Sequence, residues 1–110
     1  MIWMMSKWNY AVKVKLTETA RDHLRSIRDY IARDNPEAAR RYLKKIITKI
    51  KTNLHFPRIG KVNEVYKRED VRQFSVEGFK VIYQIRPDAI YLLAVYRFIN
   101  FDERRLDIID

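Results

Sequence analysis

Residues able to grip a polyanion or act on a phosphate ester gather between positions 67 and 97: Lys67, Arg68, Arg72, Lys80, Tyr83, Tyr96 and Arg97. Such cations and phenols can stabilise charge on a scissile phosphate while a base activates the 2′-OH. As a nuclease set, the narrowest selection is Arg72, Lys80, Tyr96 and Arg97. As contacts to a charged target, it is Arg72, Lys80 and Arg97, with Lys67 and Arg68 beside them. Other chemistries lack their residues. Cysteine is absent, which removes disulfides, thiolate metal sites and a cysteine nucleophile. The two histidines, His23 and His55, lie far apart with no metal-binding spacing. No glycine-rich phosphate loop exists, and no serine sits in a nucleophile motif. No metal, cofactor or small-molecule substrate is expected.

The chain that must position these residues has 110 amino acids, the size of one domain with its own core. Hydrophobic residues make up 47% and charged residues 34%, which places it among globular proteins and not disordered ones. Lys and Arg number 23 against 14 acids, and the resulting +9 favours an anionic partner: nucleic acid, ribosome or acidic protein. The opening MIWMMSKWNY is too short and too interrupted for a signal peptide or membrane span, and nothing later supplies one. A cytoplasmic protein without membrane contact is expected. Residues 1–9 read as a disordered extension and residues 98–110 as a C-terminal tail.

Periodicity assigns the elements. Tyr10, Val12, Val14 and Leu16 alternate with Ala11, Lys13 and Lys15, as in a half-buried strand. Thr17 stands as an N-cap with Glu18 in the first turn. Ala20, Leu24, Ile27 and Ile31 then mark a helix ending near Arg33. Asn35, Pro36 and Glu37 restart a second helix. Its buried stripe is Ala39, Leu43, Ile46, Ile50 and Leu54, widened by Tyr42 and Ile47, and it runs to Phe56 before Pro57. The outer face, with Arg40, Arg41, Lys44, Lys45, Lys49 and Lys51, sets only Glu37 against its cations. Residues 57–70 read as a connecting loop. Val71–Val76, Phe79–Ile85 and Ile90–Arg97 follow as strands, turning at Glu77-Gly78 and at Arg86-Pro87-Asp88-Ala89. Asp102 to Arg105 form a short helical turn. The fold class is α+β: an N-terminal strand, an antiparallel helix hairpin, then a three-stranded antiparallel meander, with the helices on one face of the sheet. Both faces of the meander are fairly apolar, so alternation alone leaves open which face is free.

Three phrases in order carry a family resemblance. SIRDYIARDNPEAARRYLKKI in the hairpin, His55 to Gly60 at the loop entry, and Val71 to Tyr83 in the meander resemble the ParE branch of the ParE/RelE toxin superfamily over roughly Leu16 to Arg97. The resemblance implies the RelE/ParE-like fold and the toxin component of a type II toxin–antitoxin system, neutralised by a cognate antitoxin. RelE-like members cut mRNA on the ribosome, and ParE-like members poison DNA gyrase without nuclease chemistry. The nucleases tend to carry lysines at alternate positions of the first meander strand, where this chain has Val71 and Gln73. Lys80 stands at one of their arginines, and Phe98 near another. Arg97 replaces the histidine that often ends the last strand in ParE-like chains, and Phe98-Ile99-Asn100 follows in place of basic residues. The resemblance thus implies gyrase inhibition by binding. The alternatives are a ribosome-dependent mRNA endoribonuclease and a nontoxic nucleic-acid-binding module. Phe98 and Phe101 are the expected antitoxin contacts.

Overall fold

The structure, a computed structural model, describes residues 13–97 and 100–110. Tyr10, Val12, the expected extension 1–9 and Phe98 lie outside them. The elements are β1 (Val14–Leu16), α1 (Glu18–Ala32), α2 (Pro36–Leu54), β2 (Lys61–Val62), β3 (Val71–Val76), β4 (Phe79–Ile85), β5 (Ile90–Tyr96) and a 3₁₀ turn (Glu103–Arg105). They form one sheet of five strands in the order β1-β5-β4-β3-β2. β1 runs parallel to β5, and the other pairs are antiparallel.

Both helix starts follow from their caps. The Thr17 hydroxyl accepts the Ala20 N–H and donates to the Leu92 carbonyl, so one side chain caps α1 and ties it to β5. Asn35 accepts the Ala38 N–H, with Pro36 in the first turn. α2 stops earlier than Pro57 alone suggests. Leu54 is its last residue, because the His55 and Phe56 N–H groups turn back to the Thr52 and Asn53 carbonyls.

The segment expected as a loop contains a fourth antiparallel strand. Lys61 and Val62 pair with Gln73 and Arg72, which makes the meander four-stranded. Two residues are too few for a periodic signal; close packing at Gly60 holds them in place. A Cβ there would lie 2.6 Å from the Gln73 carbonyl oxygen and 2.7 Å from the Tyr83 hydroxyl. The turn between β3 and β4 has Glu77 at φ +50° and Gly78 at φ +82°, the twist a two-residue hairpin needs. Glu77 holds that strained backbone with help: Lys45 and Lys49 bind its carboxylate, and Arg97 donates to its carbonyl. Two lysines of the outer α2 face therefore have an acid partner beyond Glu37.

The sheet is buried on both sides. On one, Ala20, Ile46, Ile50 and Leu54 of the helices meet Val76, Phe79, Val81, Tyr83, Leu92 and Val95. On the other, Val71, Ile82, Leu93 and Ala94 meet Leu106, Phe101 and Ile108 of the tail. This explains the double apolarity of the strands: no face of the meander is open. Leu43 and Ile47, expected in the buried stripe, are half-buried and line a cleft on the outside of the hairpin.

Candidate functional site

The candidate cations separate by strand geometry. Along β4, Phe79, Val81, Tyr83 and Ile85 point to the helices, and Lys80, Ile82 and Gln84 to the tail. Strict alternation along β5 would put Tyr96 with Leu92 on the helix side. The register shifts instead: Ile82 faces Ala94 while Tyr83 faces Leu92, which leaves Leu93 as an extra residue. This bulge inverts the remainder of β5, so Tyr96 becomes the cross-strand neighbour of Lys80 on the tail side. Arg97 passes to the other side and stacks on Phe79, its guanidinium carbon 4.3 Å from the ring centroid.

Lys80 and Tyr96 thus come together, and Glu103 lies between them. Its carboxylate, in a residue 9% exposed, accepts from Lys80 Nζ at 2.5 Å, from Asn63 Nδ2 at 3.1 Å and from the Tyr96 hydroxyl. Burial pushes the Glu103 carboxyl up, but the hydrogen bonds from Lys80, Tyr96 and Asn63 outweigh it, and the group ends below its ordinary value. Burial, and then the hydrogen bond and charge of Glu103, push the Tyr96 phenol well above its ordinary value. At neutral pH the site therefore holds an ionised carboxylate and a protonated phenol, which cannot serve as a base. With Glu103 seated, Lys80 presents no uncompensated charge to a phosphate.

Asn63 organises the floor and is fully buried. Its amide N–H₂ donates to Gln73 Oε1 at 2.8 Å as well as to Glu103, and its oxygen accepts the Val65 and Tyr66 N–H groups. The Tyr66 hydroxyl donates to the Glu103 carbonyl at 2.7 Å and accepts the Leu106 N–H. Sequence reasoning missed Asn63, Gln73 and Glu103 as a unit. The available signal was Gln73 and Gln84 on otherwise apolar strands, since a buried amide demands a partner.

The other candidates lie elsewhere. Arg72 is on the helix side of β3; its guanidinium donates to the Gly60 carbonyl at 2.7 Å and the Glu69 carbonyl at 3.0 Å, and it pairs with the Glu69 carboxylate. Arg68 bridges Asp70 and Asp110. Lys67 sits in the left-handed region at φ +53°, on the turn closed by its N–H to the Asn63 carbonyl. Phe101 packs edge-on to His23, ring centroids 4.7 Å apart, and 5.1 Å from Tyr96. His23 is half-buried, accepts the Val95 N–H on Nδ1, and is lowered by burial against the opposing charge of Asp22. Among the described residues, no group of His, Asp or Glu side chains could hold a metal ion, and no helix is long and apolar enough to cross a membrane.

Comparison with known proteins agrees with this architecture. No curated protein matches the chain. The solved structure of the chromosomal ParDE toxin–antitoxin system of P. aeruginosa is similar, with a TM-score of 0.64 and 22% identity over 79% of this chain and 96% of that one. At that identity the likeness is one of fold. The family model described as "ParE toxin of type II toxin-antitoxin system, parDE" matches residues 14–97, from the first residue of β1 to Arg97. By that match over most of its length, the chain belongs to the ParE toxin family of type II toxin–antitoxin systems.

Proposed function

We propose that this ParE-family toxin acts in the cytoplasm by binding DNA gyrase, without bond chemistry of its own, and that a cognate antitoxin neutralises it. The observation that carries binding over catalysis is the state of the sheet positions a nuclease would need. Val71 is buried in the apolar cluster and Gln73 is an amide hydrogen-bonded to Asn63, where the nucleases tend to carry lysines. Neither position offers the cation or base that phosphate-ester chemistry needs. Lys80 and Arg97 at the ends of β4 and β5, with Arg72, Arg68 and Lys67 at the other end of the sheet, are the proposed target contacts.

The antitoxin reading draws on the hairpin. A cleft of about 550 Å³ between α1 and α2 has an apolar floor of Ala32, Ala39, Leu43 and Ile47, flanked by Lys44 and Lys51. An acidic amphipathic segment matches that lining in hydropathy and charge. Phe98 and Phe101 are a second candidate contact.

Supercoiling by purified gyrase tests the target. Inhibition with accumulation of cleaved DNA is expected. Unimpaired supercoiling together with codon-dependent mRNA cuts on ribosomes would replace this reading with the endoribonuclease one.

A further inference from the structure

The tail and the face it covers have a relation that the family assignment does not supply, since the family match ends at Arg97. Among the described residues, every backbone–backbone hydrogen bond of residues 100–110 lies within the segment: Arg105 to Asp102, Leu106 to Glu103, Ile108 to Leu106. The tail joins no strand ladder. Side chains hold it instead. Gln84 clamps Ile109, donating to its carbonyl at 2.6 Å and accepting its N–H at 2.9 Å, and Tyr66 grips Glu103 and Leu106. The tail can therefore leave without breaking a sheet hydrogen bond or opening the helix-side core. Its charge complements its seat. Residues 101–110 carry Asp102, Glu103, Asp107 and Asp110 against Arg104 and Arg105, a formal −2 that leaves +11 on the rest of a +9 chain.

We propose that residues 100–110 are a displaceable strap occupying a protein-docking surface, and that the target takes the same surface once the strap lifts. This rests on the reading of Lys80 as a target contact. The strap itself reports what the surface fits. Glu103, between Phe101 and Leu106, sets one carboxylate on Lys80, Tyr96 and Asn63, and apolar side chains over Val71, Ile82, Leu93 and Ala94. The fitting partner is a protein segment with a carboxylate flanked by apolar residues. A nucleic-acid backbone would supply the anion but nothing to cover that apolar centre. Glu103 thus acts as an internal competitor that keeps the surface neutral and covered in the free toxin.

Two measurements on the full chain test this. In native-state hydrogen exchange, the Leu106 and Ile109 amides should be at least about 100-fold less protected than those of Val81 and Ile82, and Glu103→Gln should lower their protection further. Tail amides as protected as β4, or unmoved by Glu103→Gln, overturn the strap. Second, Thr19 Oγ1 lies 3.4 Å from Asp107 Oδ2, and the chain has no cysteine. A Thr19→Cys/Asp107→Cys pair bridged by a short bifunctional methanethiosulfonate reagent, which does not need the Cβ–Cβ geometry of a direct disulfide, can therefore staple the tail to α1. The bridged protein should lose gyrase inhibition and regain it on reduction, while the same reagent leaves the wild type unchanged. Equal inhibition by the stapled and reduced forms overturns the proposal. If neither the wild type nor the reduced variant affects gyrase, the target reading fails, and the exchange result still decides whether the strap opens.

Discussion

Asn63→Asp is the most informative single change in the buried network. The substitution keeps the shape and the oxygen that accepts the Val65 and Tyr66 N–H groups. It replaces the N–H₂ that reaches Glu103 Oε1 at 3.1 Å with a second carboxylate oxygen. Two unit charges about 3 Å apart repel by about 5 kcal/mol at an effective dielectric of about 20. Lys80 and a reoriented Gln73 amide, which can turn its own N–H₂ toward the new acid, offset part of this. A net loss of about 3 kcal/mol at pH 8 follows, in line with other uncompensated buried charges. The repulsion raises the introduced carboxyl above its unfolded value, so the folded variant binds the extra proton and its deficit grows as pH rises. In urea titrations with unchanged m-value, the difference from wild type should shrink to about 1 kcal/mol at pH 5. With the Leu106 and Ile109 amides still protected, so that the tail has not lifted to relieve the repulsion, a loss below about 1 kcal/mol at pH 8, or equal losses at both pH values, would refute the buried, ionised state assigned to Glu103.

Three further outcomes follow from the same geometry. Gly60→Ala forces a Cβ to 2.6 Å from a backbone carbonyl oxygen, which cannot swing away as a side chain would; a loss of about 1–3 kcal/mol in chemical unfolding is expected. Thr17→Ala removes both the α1 cap and the link to Leu92, costing about 1–2 kcal/mol by the same assay, and Thr17→Ser should recover most of it. Protonating His23 removes the acceptor for the Val95 N–H, and burial holds its folded pKa below the unfolded value of 6.5. Its stabilising contribution is therefore complete above pH 6.5 and declines as pH falls from there toward the folded pKa. Unfolding titrations from pH 7 to 5 should show that slope in the wild type and a flatter one in His23→Phe.

The helices were legible because their determinants are local. Thr17 and Asn35 cap the segments they precede, Pro36 opens α2, and apolar residues recur at helical spacing, all within one or two turns of chain. The β3–β4 hairpin was legible for the same reason, since Gly78 marks the turn and the flanking strands are rich in Val, Ile, Tyr and Phe. Short elements held by distant partners were not. β2 has two residues and exists because β3 pairs with it; α2 ends at Leu54 through backbone bonds that Pro57 does not report.

For the candidate site, the chain by itself determined which chemistries lack their residues and that Lys80 and Tyr96 are present on neighbouring strands. Tertiary structure alone decided that they meet. One extra residue at Leu93 reverses every later side chain of β5, because strand period is two, and no sequence period marks where such a bulge falls. Tertiary structure also decided that Glu103, 23 residues beyond Lys80, neutralises it. A charge read from composition is a formal sum; whether it faces solvent or a buried carboxylate depends on which segment covers it. Here the covering segment is the acidic tail, drawn by apolar burial and opposite charge onto the one sheet face the helices leave uncovered.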